Sequence, residues 1–553
     1  MLAVAVLASA AAGTGGAARP AGGNGRVGPA YRLTANGRHL QPAGRLTQVG
    51  NFPTGGALTR DGRFYWAVDS GHGRNDIQVV DVATGAVVQV LPLPGAYGGI
   101  VFAPNGKTAY VGGEPRGSST PTGPTQADAG DAVHVFSVHS SDGKGIERAP
   151  IPLPPTSGGT AQTSEGGRLG WPEGLGVTPD GSTLLVALNQ ADSLAIIDLA
   201  GASHTTRLVR VGKFPYGVVA GNNKTAYVSN ELSGTVSVVD LVTATVVATI
   251  GVGGERGDLE AHPEGMLVDR QRSLIYVAVT NRDLVAVINT RTRTLVGYVN
   301  VSRKEGIGTA PLALAESPDG KTLYVADSGE DAVAVIEIRD LPKVSFRLAG
   351  RIPTAAYPSA VAVTPDGRSL VWLAAKGLGA GPNPEYAVHW ADSGAAPYGS
   401  YVPDKLLGYV GVVHTPTVGA LHRYTRRADR QVRPENGKRA PWDTPVVGPS
   451  GVASRQIKHV FYVVRENRTY DQVFGSEPRG DGDPSLQVVD DNGKPGPAGG
   501  VTPNAHALAR QFPLLDHFYA DSEVSTDGHV ITSSSYAIDF VQKALHADYS
   551  NRG

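Results

Sequence analysis

The sequence predicts a mainly β chain, a seven-bladed β-propeller followed by an incomplete α/β domain, and three observations carry that expectation. A proline-centred motif recurs at Phe52-Pro53-Thr54-Gly55, Trp171-Pro172-Glu173-Gly174, Phe214-Pro215-Tyr216-Gly217, His262-Pro263-Glu264-Gly265, Ala310-Pro311-Leu312-Ala313 and Tyr357-Pro358-Ser359-Ala360. From Pro172 onward these prolines stand 43, 48, 48 and 47 residues apart. Far downstream, the apolar run Val460 to Val464 reads as a buried strand that delivers Glu466 and Asn467 to its C-terminal end.

Each proline is followed by an aliphatic strand and, in several repeats, by a turn such as Pro179-Asp180-Gly181, Pro318-Asp319-Gly320 or Pro365-Asp366-Gly367. A second strand follows at Thr183 to Ala187, Thr225 to Ser229, Leu274 to Ala278 and Leu323 to Ala326. A third alternates in character at Ser193 to Asp198, Thr235 to Asp240 and Ala332 to Glu337, and a fourth occupies Thr245 to Ile250 and Thr294 to Val299. Four short strands per period with Asp-Gly turns describe one propeller blade. A blade cannot bury both faces alone, so blades stack around an axis. The segment from Gly95 to Ile100, with Pro104-Asn105-Gly106 and Ala109 to Val111, supplies a blade without the proline and carries a long insert from about Glu114 to Asp131. Starts near 53, 96, 172, 215, 263, 311 and 358 make seven blades. Leu407 to His414 belongs to the last blade, and a strand near Gly44 to Val49 is placed to close the ring.

At 553 residues the chain exceeds a single core. A formal net charge of −1 gives no bulk attraction to nucleic acid or anionic membrane, and neither is expected as a partner. The absence of Cys excludes disulfides, thiolate chemistry and Cys-ligated zinc. Residues 1–22 are signal-peptide-like, with an apolar stretch from Leu2 to Ala12 and small residues Ala8-Ser9-Ala10 at a cleavage position. That stretch is too short to cross a bilayer. The expectation is therefore export to the periplasm, cell surface or exterior, without a transmembrane segment. The expected domains are the propeller at 23–422, a basic Pro/Gly-containing linker at 423–456 and the truncated module at 457–553.

Two features of the propeller region admit chemistry. Glu255, Asp258, Glu260, His262 and Glu264 gather at one blade entrance, and Glu173 takes the equivalent place in another. They read either as a carboxylate-lined channel or as solvated loop residues. The loop Lys376 to Pro384 is Gly-rich but lacks the Gly-Lys-Ser/Thr ending of a phosphate-cradling loop. It reads as a long loop of blade seven. Arg426, Arg427, Arg430, Arg433, Lys438 and Arg439 read as a basic linker, or as a strip for an anionic ligand.

The blades resemble the YVTN repeat family, whose motif stands here as Tyr227-Val-Ser-Asn230, Tyr276-Val-Ala-Val279 and Tyr324-Val-Ala-Asp327. The resemblance spans roughly residues 45 to 415 and implies a fold, not an activity. The C-terminal part resembles a different family, the bacterial phosphoesterases that include phospholipase C and related acid phosphatases. The residues that carry this resemblance are Phe461 to Gly475, Thr502 to His506, Phe512 to Tyr519 and Asp521 to His529.

This second resemblance implies an alkaline-phosphatase-like α/β fold and a divalent metal ion of open identity on Glu466, Asn467 and Ser525. It implies Ser525 as the hydroxyl that attacks phosphorus, with Thr526 as the fallback, and Asp527 and His529 as supporting residues that orient the leaving group or bind metal. A metal-bound hydroxyl ionises more readily, and a cation neutralises phosphoryl charge. The family's later adjacent Asp pair has no counterpart before Gly553, so the catalytic domain reads as incomplete; a helix is expected at Tyr536 to Ala547. The expected function is a phosphoesterase with a phosphate-ester substrate, joined to a propeller that binds a ligand or protein on one face. The alternative is a non-catalytic propeller scaffold with a vestigial C-terminal segment. A third reading, a lactonase-like or quinoprotein-like propeller enzyme, lacks a complete metal constellation in the sequence.

Overall fold

The structure is a computed structural model. It describes residues 32–544 apart from 35, 72–74, 94, 114–131, 156–169, 202, 305–306, 341–342, 380–402, 404–405, 433–455, 467, 488–500, 517, 519 and 521. The signal-like segment, the blade-two insert, most of the Gly-rich loop and Asn467 lie outside the described residues.

Seven antiparallel sheets are present. Blade one runs from Pro53 to Pro92, blade two from Ala96 to Pro152, blade three from Pro172 to Arg210 and blade four from Pro215 to Gly251. Blade five spans Pro263–Asn300 and blade six Pro311–Pro353. Blade seven takes its three inner strands from Pro358–Val363, Ser369–Ala374 and Leu407–His414, and its outer strand from Arg45–Asn51 at the other end of the propeller. Arg45 pairs with Val412 and Thr47 with Val410, so the N-terminal strand closes the ring as the spacing requires. The innermost strands touch in cyclic order, ending with Pro358–Val363 against Pro53–Leu58.

The motif's chemistry explains the inner strands. Each of the six prolines is the first residue of its blade's innermost strand. A strand's first position tolerates the missing N–H. Two residues later the glycines permit close approach between blades. A Cβ at Gly55, Gly174, Gly217 or Gly265 would run into the carbonyl oxygen of Gly98, Tyr216, Glu264 or Leu312 on the next inner strand. The second strand of each blade is buried on both faces, as in Phe64–Asp69 and Leu274–Val279. Its aliphatic and aromatic residues form the cores between successive blades, for example Leu184, Val186 and Leu188 against Val133 and Ile151. The two buried tryptophans of these second strands carry satisfied donors: Trp66 Nε1 donates to the Gly143 carbonyl at 3.0 Å and Trp372 Nε1 to the Ala43 carbonyl at 3.3 Å.

A helix, α1, covers Val418–Gln431. The expected basic linker therefore begins in error: Arg423, Arg426, Arg427 and Arg430 are helical. The physical reason is a capped amphipathic helix. The Thr417 side chain accepts from Ala420 N, and Leu421, Ala428 and Gln431 are buried at helical spacing. Leu421 joins the blade-six and blade-seven core, and Gln431 Nε2 donates to the Asp331 carbonyl at 2.8 Å.

Of the described residues, Tyr470–Phe518 make one compact unit and the rest the other. The smaller unit holds α2, Tyr470–Phe474, and α3, Pro503–Gln511. Buried His506 ties them, donating from Nε2 to the Val473 carbonyl at 2.8 Å and meeting Glu477 at 3.3 Å through Nδ1. In the larger unit, α4 covers Ser525–Ser534 and α5 covers Asp539–Ala544, within the helix expected at 536–547.

The strand expected at Val460 to Val464 is not formed. The segment is unpaired coil, and Val460, Phe461 and Val463 are each more than 80% exposed. A lone strand has no partner for its backbone groups, and no strand follows His414 among the described residues. Among the described residues, the C-terminal part thus shows a few helices and no alkaline-phosphatase-like sheet.

Candidate functional site

The residue before each motif proline sits in left-handed backbone: Phe52, Trp171, Phe214, His262, Ala310 and Tyr357 have φ between 41° and 64°. Bulky residues avoid this region, and each such residue costs on the order of 1–3 kcal/mol. Three of them, Phe52, Phe214 and Tyr357, form one apolar cluster with Leu312 and Tyr216, which each follow a motif proline, and with Phe540. Of the residues that follow the prolines, Tyr216 is partly buried. Thr54, Glu173, Glu264, Leu312 and Ser359 are all buried.

Of the entrance carboxylates, Glu255, Asp258 and Glu260 are exposed, whereas Glu173 and Glu264 are buried in the channel. His262 Nδ1 lies 2.9 Å from Glu231 Oε1, and Glu231 is fully buried. Burial raises the Glu173 carboxyl well above the usual carboxylate range. Burial, reinforced by Asp539, does the same to Glu264. A carboxyl raised in the folded state gives stability that is complete below its unfolded value near 4.5 and is lost as pH rises. Glu173→Gln should therefore gain in melting temperature over the wild type as pH is raised from about 5 toward alkaline values. A melting series across pH checks this, and a constant difference would refute the assignment.

The channel is occupied by the chain's own C-terminal helix. Lys543 on α5 is buried, with Nζ 3.1 Å from Glu264 Oε2, 2.8 Å from the Tyr216 hydroxyl and 2.7 Å from Asp539. It also lies 4.5 Å from the centroid of the Tyr216 ring. Burial alone would pull the ammonium down, but the charges of Asp539 and Glu264 outweigh it and hold it well above its ordinary value. Asp539 accepts from the Tyr357 hydroxyl. Phe540 packs edge-on against Phe214 at 5.5 Å. From the rim, Lys376 reaches Glu523 at 2.8 Å and also bonds Gln542. The sequence reading missed Lys543, Asp539, Tyr216 and Tyr357. The signal for Tyr216 and Tyr357 was their place beside a motif proline, whereas nothing in the repeat pattern pointed to Asp539 or Lys543.

The residues implied by the phosphoesterase resemblance occupy a second place. Glu466 Oε2 and His529 Nε2 are 3.2 Å apart, both about half exposed. Ser525 and Thr526 stand exposed in the first turn of α4, and His529 lies four residues after Ser525, on the same helical face. Asp527 is buried and turned to the helix start, accepting from Val524 N at 3.1 Å and Gly528 N at 3.0 Å. This is a capping role. Asn467 lies outside the described residues. Among the described residues, no group of three or more His, Asp or Glu is arranged to hold a metal ion.

A family model and a curated relative, both described as seven-bladed propellers, match part of the chain. A family model described as a lactonase, seven-bladed beta-propeller, matches residues 216–376. A seven-bladed beta-propeller protein of Mycobacterium tuberculosis, Rv1057, is 27% identical over 181 residues, which covers 32% of this chain and 40% of that relative. Among solved structures, a catalytically inactive virginiamycin B lyase from Staphylococcus aureus, crystallised with quinupristin, superposes with a TM-score of 0.43 at 10% identity, over 67% of this chain and all of that one. A protein of unknown function from Desulfotomaculum acetoxidans gives a TM-score of 0.33 at 22% identity, over 45% of this chain and 71% of its own. The chain is thus a seven-bladed β-propeller, and part of it, residues 216–376, is similar to the lactonase-type propeller model.

Proposed function

We propose that this chain couples a ligand-binding propeller to the leading part of an exported phosphoesterase, with Ser525 as nucleophile. The observation that carries the phosphoesterase part is the convergence of Glu466 and His529, 63 residues apart in sequence, on the face of α4 that begins at Ser525. In this reading the Ser525 oxygen bonds to phosphorus as the bond to the departing alcohol breaks. The hydroxyl proton ends on that alcohol, and water later releases phosphate from the serine. Glu466 holds the His529 ring, which stands one helical turn after Ser525. The described donors fall short of the six or more oxygens of a typical hard-cation shell, so no step is assigned to a metal ion.

The test is hydrolysis of a nitrophenyl phosphate ester by the chain beside its Ser525→Ala variant, with and without added Mg²⁺, Mn²⁺ or Ca²⁺. Turnover abolished by Ser525→Ala is the expected result. Turnover equal in both, or absent from a demonstrably folded chain under every metal condition, would remove the phosphoesterase reading. A second reading, a binding protein without catalysis, is favoured by the channel itself, whose buried acidic groups are engaged by a side chain.

A further inference from the structure

The propeller channel contains more acid than its present occupant uses. Glu173, Glu231 and Glu264 are buried carboxylates contributed by the blades, and Asp539 arrives with α5. Against them stand the Lys543 ammonium and His262, which is engaged by Glu231. An ammonium has three donors. Lys543 directs one at Glu264 and one at the Tyr216 hydroxyl, and it is ion-paired with Asp539. Glu173 Oε2 and Glu264 Oε1 are buried without a hydrogen-bond partner among the described residues. Unsatisfied buried acceptors are costly, and a purely structural clamp would have little reason to keep them. The wall beside the ammonium is aromatic: the Tyr216 ring centroid lies 4.5 Å from Nζ, and Phe214 receives Phe540. An acidic floor with an aromatic wall is the chemistry that recognises an organic cation.

We propose that the axial channel is a binding site for a primary ammonium carried on an apolar stem, and that Lys543 of α5 is its internal occupant, which an external amine must displace. This inference rests on reading the propeller as a binding platform and is independent of the phosphoester chemistry. When α5 leaves it takes Asp539 with it, and the third ammonium donor is then left for Glu173. The geometry favours an amine over a bare divalent ion, because no group of three metal-ligating side chains is drawn together here among the described residues.

The experiment is chemical rescue in the full-length chain. Lys543→Ala removes the atoms that n-propylammonium would restore. Its melting temperature is followed against n-propylammonium, against a peptide of the Asp539–Ala544 sequence, and against n-propanol. The proposal expects a saturable upward shift with the amine that n-propanol does not give, that is lost in Lys543→Ala/Glu264→Gln, and that is much smaller in the wild type. A shift from the peptide alone also supports the site and identifies its ligand as a lysine of a partner segment. No shift from either probe in a folded variant, or equal shifts with n-propanol, would overturn it. Should Lys543→Ala stay unfolded at every amine concentration, the amine titration of the wild type decides, read as increased amide exchange in α5. An increase supports displacement, and no change overturns it. None of these readouts requires turnover, so a failed rescue and a failed phosphoesterase assay are separate results.

Discussion

Lys543→Ala should detach α5 from the propeller. Lys543 and Glu264 are both almost completely buried, and the variant would leave Glu264 and Asp539 facing each other without the intervening cation. Removing one partner of a buried ion pair costs about 3–5 kcal/mol, because the other charge stays desolvated and unpaired. The blades close on themselves without α5, so the loss falls on helix docking rather than on the ring. Chymotrypsin cleavage after Phe540, which packs against Phe214 and His262, reads this directly. Cleavage should accelerate by on the order of 10²-fold or more, since about 1.4 kcal/mol of docking corresponds to a factor of ten. Lys543→Met/Glu264→Gln should recover part of the protection, because it removes the pair together with its desolvation penalty.

Gly265→Val should destabilise the ring itself. A Cβ at Gly265 meets the Leu312 carbonyl of the next inner strand, and that oxygen belongs to backbone, which cannot rotate aside. Inner strands of blades five and six would have to separate. Overpacking of this kind costs about 1–3 kcal/mol, and a branched side chain lies at the upper end. Gly297→Ala is the matched control. It lies in the outer strand of the same blade, and its Cβ would meet nothing within 4 Å. Urea unfolding should show a clear drop in midpoint for Gly265→Val and little change for Gly297→Ala.

Most of the propeller was legible because its signals are local and repeated. The proline starts, the strand spacing and the closure of blade seven by Arg45–Asn51 all follow from periods and alternation. Three features were not legible, each for a physical reason. Helix α1 is written in Leu421, Ala428 and Gln431, but its exposed arginines gave the stretch the look of a linker. The run Val460 to Val464 has strand composition, yet a strand exists only with a partner, and the described chain offers none. The seating of Lys543 against Glu264 joins residues 279 apart, and no periodicity reports a contact of that kind. For the candidate phosphoesterase residues, the sequence brought Glu466, Ser525 and His529 into view, while the structure added that Asp527 holds the helix start.

The central claim is that the propeller channel holds α5 through a buried lysine. Hydrogen–deuterium exchange of residues 539–544 in the wild type and in Glu264→Gln tests it most directly. The account predicts slow exchange across this short helix in the wild type, and exchange at least tenfold faster in Glu264→Gln while the blade strands keep their protection. Exchange near the unfolded-chain rate in the wild type, or protection unchanged by Glu264→Gln, would contradict it.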